Sequence, residues 1–144
     1  SYGIGMLIAT IFVYRYASRY KKGTWLMLGI IYDGLTFIPL FWVGSFGIDP
    51  FWLTLSIIFI HSLGIPFIQV TRTTLVHSIV PGHMQGRVFS MINLAVIGVM
   101  SISVALTGIL AEWVSPRTIF LFIGMGAAMS GLLGLSMKTI RDAD

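Results

Sequence analysis

The amino-acid sequence predicts an all-α fold, a polytopic membrane bundle of five transmembrane helices. The first observation is composition, since 56% of the residues are hydrophobic and only 10% are charged, whereas a soluble domain carries roughly 25% charged residues. The second is that the apolar residues form long runs close to the roughly 20 residues that a helix needs to cross the bilayer. The third is that these runs do not alternate polar and apolar residues, as barrel strands do.

Five runs have the length and composition of membrane spans, and we predict a single bundle over residues 1–144. The spans cover about residues 2–17, 24–46, 51–70, 88–111 and 118–137. Helices are expected because a helix satisfies its own backbone hydrogen bonds in lipid. The first run starts with the chain, without an initiator Met or a basic leader, so we expect a fragment of a longer membrane protein.

Basic residues predict the orientation of the bundle. Eight of the nine Lys and Arg residues fall on one side, which the positive-inside rule places in the cytoplasm: Arg15, Arg19, Lys21, Lys22, Arg72, Arg87, Lys138 and Arg141. We therefore expect a multi-pass protein of the cell membrane with a cytoplasmic C-terminus. The basic residues lie in short connections between apolar runs, so the expected partner is the lipid bilayer and not nucleic acid.

The longest polar interruption covers residues 80–90 and is predicted to connect the third and fourth spans. Pro81 and the glycine after it end the preceding segment, because Pro removes a backbone donor and Gly permits positive φ. Gly86 and Arg87 then open the next apolar run. The third helix is expected to continue beyond the bilayer through Ser78 before Pro81 stops it.

Two ionisable residues lie near the middle of predicted spans. Asp33 is the only acidic residue inside a span, and a charge there costs about 2.5–3.5 kcal/mol, so it should face the bundle interior or a water-filled cavity. Gly29 and Thr36 share its helical face. Asp33 either bonds hydroxyl groups of a neighbouring helix or lines the substrate path and exchanges a proton. His61 is either a packing histidine or a second proton-exchanging group.

Gln69 and Asn93 are further candidates for a polar pathway, with simple packing as the alternative. The sequence has no cysteine, phosphate-binding glycine loop, nucleophile elbow or paired carboxylates. His77 and His83 lie near each other in the sequence, but no third ligand is evident. We therefore expect no enzyme activity, no catalytic residues, no cofactor and no metal site.

Small residues at helical spacing predict which faces of the spans pack closely. Such residues occur in three spans: Gly5 and Ala9 in the first, Gly98, Ser101, Ala105 and Gly108 in the fourth, and Gly126, Ala127, Ser130, Gly131 and Gly134 in the fifth. We expect these faces to pack within the bundle. The alternative is a smooth surface that slides during a conformational cycle.

Several stretches resemble the C-terminal half of a major facilitator superfamily transporter. They are TTLVHSIVP at residues 73–81, QGRVFS at 85–90, GILAE at 108–112 and PR at 116–117. They are most similar to the branch that holds the enterobactin exporter and macrolide efflux proteins. The resemblance implies that the five spans belong to a six-helix half and correspond to the eighth to twelfth helices of a twelve-helix protein.

The same resemblance implies a function. Its members are secondary active transporters, and this branch exports small drug- or siderophore-like molecules across the cytoplasmic membrane by proton-coupled alternating access. The implied partners are a small-molecule substrate and the missing N-terminal half of the same transporter. A non-transporting membrane scaffold or assembly subunit is the alternative. Asp33 and His61 directed into one central cleft would favour transport, and their burial against immediate neighbours would favour the scaffold.

The resemblance also implies a cytoplasmic gate. The family's basic loop between the eighth and ninth helices is matched in its basic residues, but Tyr14, Ser18 and Lys21 stand near the places of its leading Gly, its Asp and its second Gly. The connection between the tenth and eleventh helices belongs to the same gate. The gate candidates are Arg15, Arg19, Lys21, Lys22, Arg72, Gly86 and Arg87. Arg87 is expected to bond loop carbonyls, phospholipid or the opposing half.

Overall fold

The protein is all-α, as the sequence predicts. The computed structural model describes residues 2–16, 21–45, 47 and 49–141, which contain no strand. The helices are α1 (Tyr2–Tyr16), α2 (Lys22–Phe37) with a 3₁₀-helix over Ile38–Trp42, α3 (Pro50–Ile79), α4 (Gly82–Leu110), α5 (Pro116–Ser136) and α6 (Lys138–Arg141). The segment Lys22–Trp42 and α3, α4 and α5 are each long and apolar enough to cross a membrane, whereas α1 is a shorter apolar helix. The prediction of a membrane helix bundle is confirmed.

The second span is not one continuous α-helix. The α-helical part ends at Phe37, and the backbone tightens into the 3₁₀-helix that contains Pro39. Proline causes such a change because it has no amide hydrogen to donate to the preceding turn and its ring crowds that turn. The change in helix type therefore lies at Pro39.

The third helix begins and ends as the local sequence dictates. Pro50 occupies the first turn, where its missing amide has no helical partner to lose, and the Asp49 carboxylate accepts a 2.9 Å hydrogen bond from the Phe51 amide. The helix then continues to Ile79, so the predicted extension through Ser78 is confirmed.

The fourth helix begins six residues before the span predicted from about residue 88. The helix begins at Gly82 and not at residue 88, because Pro81, with φ of −54°, takes the cap position and its carbonyl accepts a 2.9 Å hydrogen bond from the Met84 amide. The polar residues that suggested a long loop are therefore helical. Their polarity indicates exposure at the end of the bundle rather than loss of the helix.

The core centres on α2, which contacts both α3 and α5, while α1 packs against α3. Gly34 meets the backbone of α5 at Gly124 and Ala128, and a Cβ atom added there would lie 2.5 Å from the Gly124 carbonyl oxygen. On α1, Gly5 faces Ser62 of α3, and Ala9 is buried. The packing predicted for the small residues of the first span is confirmed.

The packing predicted for the small residues of the last two spans is confirmed only in part, for Gly131 and Gly134 of the fifth span. On α5 the buried small residues are Gly124, Ala128, Gly131 and Gly134, whereas Gly126 and Ser130 are exposed. α4 buries none of its residues, and the stripe that includes Gly98 and Gly108 has no neighbour within the described residues. The expectation that this stripe packs within the bundle is wrong. Small residues show where a helix is smooth, but they do not show whether a second helix lies against that face.

Candidate functional site

The structure brings Asp33 and His61 together across the interface between α2 and α3. Asp33 Oδ1 lies 3.4 Å from His61 Nδ1, and the two side chains are 26% and 16% exposed. Thr36 Oγ1 lies 2.8 Å from the same nitrogen. The sequence singled out both ionisable residues but gave no indication that they meet. The site therefore consists of a carboxylate, an imidazole and a hydroxyl group from two adjacent spans.

Glycines allow the two helices to approach closely around this site. A Cβ atom on Gly29 of α2 would lie 2.9 Å from the Ile68 side chain, and one on Gly64 of α3 would overlap the Tyr32 ring. Tyr32 lies over Gly64, and its hydroxyl donates a 2.5 Å hydrogen bond to the Ile60 carbonyl oxygen. This contact fixes α2 against α3 one residue from both Asp33 and His61.

The hydrogen bonds around Thr36 determine which imidazole nitrogen carries a proton. The Thr36 hydroxyl donates to the Asp33 carbonyl oxygen at 2.7 Å, so its oxygen accepts from His61 Nδ1–H. The same nitrogen, Nδ1, also lies 3.4 Å from Asp33 Oδ1. The Phe37 ring covers one side of the imidazole, with 4.5 Å between ring centroids. Asp33, His61 and Thr36 therefore form one polar cluster between α2 and α3.

The other pathway candidates lie apart from this pair. Gln69 is exposed on α3, eight residues beyond His61, which corresponds to about 12 Å along a helix. Asn93 is exposed on α4, which packs against little else in the described structure. The structure therefore does not bring Gln69 or Asn93 to the Asp33–His61 pair.

The basic gate candidates lie at the end of the bundle that holds the α1–α2 and α3–α4 connections, which we name the basic end. Arg15 is exposed near the end of α1, Lys21 and Lys22 lie where α2 begins, and Arg19 falls outside the described residues. Arg72 is half-buried about two turns before the end of α3, and Gly86 and Arg87 are exposed in the first two turns of α4. The described cations therefore lie towards one end of the bundle.

Gln85 is a polar contact that the sequence did not reveal. Its Oε1 lies 2.8 Å from His77 Nδ1, and its Nε2 donates to the Val80 carbonyl oxygen at 3.0 Å. Gln85 thus ties the first turn of α4 to the end of α3 across Pro81. No periodicity or composition signal could have identified this contact, because it depends on the geometry of the turn.

Replacing Gln85 by Met should loosen the α3–α4 turn, because Met keeps the length of the side chain and removes both hydrogen bonds. We expect a loss of about 1 kcal/mol of local stability, which corresponds to roughly fivefold faster hydrogen exchange. The amides to follow are Val80 and Met84, which bond within this turn. Gln69→Met is the matched control, since Gln69 is an exposed residue on α3. Equal exchange in both variants would contradict a bridging role for Gln85.

The fold and the Asp33–His61 pair define a polytopic helical membrane protein with an ionisable pair between two of its spans. The chain belongs to the Major Facilitator Superfamily, whose family model matches residues 1–143. It is 30% identical over 146 residues to "Uncharacterized MFS-type transporter YfiS" of Bacillus subtilis (strain 168), a match that covers 98% of this chain and 34% of the relative. The chain thus spans about a third of the length of that relative. No solved structure matches it.

Membership assigns the chain to a family of membrane transporters. The apolar helices and the membership in this superfamily together indicate a multi-pass membrane protein.

Proposed function

We propose that this chain is part of a secondary active transporter that exports small drug- or siderophore-like molecules across the cytoplasmic membrane by proton-coupled alternating access. The family supports transport. Export and the class of substrate rest on the resemblance of the 80–90 connection to the enterobactin-exporter and macrolide-efflux branch. The observation that carries proton coupling is the contact between Asp33 Oδ1 and His61 Nδ1 at 3.4 Å.

The pair couples protons to motion because its two members lie on different helices. An ionised Asp33 attracts a protonated His61 across the α2–α3 interface, and this attraction is strong where water is scarce. A proton delivered to the carboxylate removes the attraction. The protonated and deprotonated proteins then favour different relative positions of α2 and α3. The proton is the ligand here, and it shifts the conformational equilibrium because its affinity differs between the two positions.

The remaining candidates have other roles in this proposal. Gln69 and Asn93 line the polar path for the substrate, between this half and the N-terminal half. The basic end is the cytoplasmic gate, and the C-terminus is cytoplasmic. At this gate Arg87 meets loop carbonyls, phospholipid headgroups or the opposing half. The gate residues in this proposal are Arg15, Arg19, Lys21, Lys22, Arg72, Gly86 and Arg87.

Reconstitution of the complete protein into proteoliposomes tests this function. A proton gradient should drive a fluorescent amphipathic drug against its concentration gradient, and collapse of the proton gradient by an ionophore should stop it. The 144-residue chain alone is the matched control and should not transport, because a substrate site between two halves needs both. Transport by the chain alone would contradict the two-half arrangement. Absence of transport for a broad set of small molecules would contradict the function.

A scaffold or assembly subunit is the second candidate. It is favoured by the direct contacts of Asp33 and His61 with each other and with Thr36, since a satisfied polar cluster also stabilises a helix pair. For a scaffold, the Asp33–His61 pair has no role beyond packing. Substitutions that keep the fold would then leave every activity of the assembly unchanged.

A further inference from the structure

An apolar groove runs along one side of the bundle, between α1, α2 and α3. It has a volume of about 500 Å³, and its walls include Ile8 and Phe12 of α1, Trp25 and Leu28 of α2, and Phe67 of α3. The Trp25 and Phe67 rings stack at its side, with centroids 5.6 Å apart. The groove is separate from Asp33 and His61, neither of which lines it.

The groove offers almost nothing to a polar ligand. Its one hydroxyl group belongs to Tyr32 and is already bonded to the Ile60 carbonyl oxygen. A polar molecule placed here would lose its hydrogen bonds to water without replacement, which costs several kcal/mol on hydrocarbon scales. A hydrocarbon chain has no such cost. The lining therefore selects an apolar and flexible occupant.

The depth of the groove matches one leaflet of the bilayer. On α2 it extends from Trp25 to Tyr32, about 10 Å along a helix, and it starts one turn from Lys22 at the basic end. One leaflet contributes about half of a hydrocarbon thickness near 30 Å. The groove thus lies beside the acyl chains of the leaflet on the basic side.

A cation lies next to the groove. A second hollow of about 310 Å³ shares Ile8 and Phe12 with the groove and is also lined by Arg15. Arg15 is exposed, and within the described residues no carboxylate lies within ion-pair distance of it. Lys22 at the start of α2 adds a second positive charge at the same end. The groove therefore combines an apolar wall with positive charge at the depth of a phospholipid headgroup.

We propose that this groove is a binding site for an anionic phospholipid of the leaflet on the basic side. One acyl chain lies between α1, α2 and α3, and the phosphate is bound by Arg15, whose guanidinium matches phosphate oxygens in geometry and charge. The proposal depends on the membrane location of the chain and not on its transport activity. The bound lipid links α1 to α2 at the end of the bundle where these helices connect.

Quenching of Trp25 fluorescence by brominated lipids tests the site. In the complete protein, all tryptophans except Trp25 are replaced by Phe. This protein is reconstituted into two sets of phosphatidylcholine vesicles, one with a small fraction of brominated phosphatidylglycerol and one with the same fraction of brominated phosphatidylcholine. We expect the apparent affinity for the anionic lipid to be higher by about fivefold, the factor that one basic residue contributes towards an anionic lipid surface. Arg15→Gln should remove the preference, and Arg15→Lys should keep part of it.

Two controls separate a lipid site from ordinary contact with the bilayer. Lys138→Gln removes a charge that lies outside the groove lining and should keep the preference. Leu28→Phe fills the groove beside Trp25 and should reduce quenching by both lipids, whereas Leu35→Phe, on the same face of α2 but outside the lining, should not. Equal quenching by the two lipids, or a preference that survives Arg15→Gln, would overturn the proposal. No quenching by either lipid would show that a protein segment fills the groove, and this result would overturn it as well.

Discussion

Replacement of Asp33 by Asn in the complete transporter should abolish proton-driven export and leave the protein folded. Asp33 is the only acidic residue inside a predicted span, and its amide analogue cannot take up a proton. The hydrogen bond from Thr36 persists, because it is made to the backbone carbonyl of residue 33. Folding should persist too, since a neutral amide costs less in the membrane than a carboxylate. Export driven by a pH gradient in proteoliposomes should fall to the level of protein-free vesicles.

The matched control for this variant is Asp49→Asn. Asp49 lies in the turn before α3, where its side chain caps the helix by accepting from the Phe51 amide, and Asn caps helices about as well as Asp. Export by the Asp49 variant should match that of the unmodified protein. His61→Gln should weaken pH dependence, because it removes the partner 3.4 Å from the carboxylate. Unchanged pH-dependent export by the Asp33 variant would remove Asp33 from coupling and favour a packing role.

The second large effect should come from Gly34→Ala. A Cβ atom at this position would lie 2.5 Å from the Gly124 carbonyl oxygen and 3.0 Å from the Ala128 Cα atom. These are backbone atoms of α5, so no side chain can turn away to make room. The helices must separate, and overpacking of this kind typically costs 1–3 kcal/mol. Thermal unfolding in detergent, followed by loss of the monodisperse gel-filtration peak, should occur at a lower temperature than for the unmodified protein.

Gly126→Ala is the control for this effect on the facing helix. Gly126 is exposed, and an added Cβ atom meets nothing within 4 Å. The same chemical change should therefore be neutral or slightly stabilising, since Ala is favoured over Gly in a helix by up to about 1 kcal/mol. Similar unfolding temperatures for the two variants would show that α2 and α5 do not pack through Gly34.

The two predictions describe two faces of the same helix. Asp33 reaches towards His61 on α3, while the next residue, Gly34, lies against the backbone of α5. The ionic attraction between Asp33 and His61 therefore acts on one face of α2, and the backbone contact with α5 lies on another face of the same helix. We expect proton binding to move α3 relative to a unit formed by α2 and α5.

The class of protein and most of its elements could be predicted from the sequence. Runs of apolar residues are sufficient for this, because lipid requires every backbone group of a span to be bonded within its own helix. Pro39, Pro50 and Pro81 also act locally, through a fixed φ and a missing donor, and they mark a change of helix type, a helix start and a cap. The polar first turns of α4, which precede the predicted span, cannot be distinguished from a loop by composition.

The candidate site could be predicted only in part. Asp33 and His61 are identifiable from sequence because ionisable residues are costly at mid-membrane depth. Their contact, the role of Tyr32 and the bridge made by Gln85 depend on which helix faces which, and no local pattern contains that information.

The sequence by itself determined an all-α membrane chain, its apolar segments and the two ionisable residues worth testing, because hydrophobicity and backbone bonding act over neighbouring residues. Only the tertiary structure decided that Asp33 meets His61, that α5 packs through Gly124, Ala128, Gly131 and Gly134, and that α4 lies largely uncovered. The physical reason is that side-chain pairing and close helix approach depend on the relative rotation of helices. That rotation is set by the packing of the whole bundle.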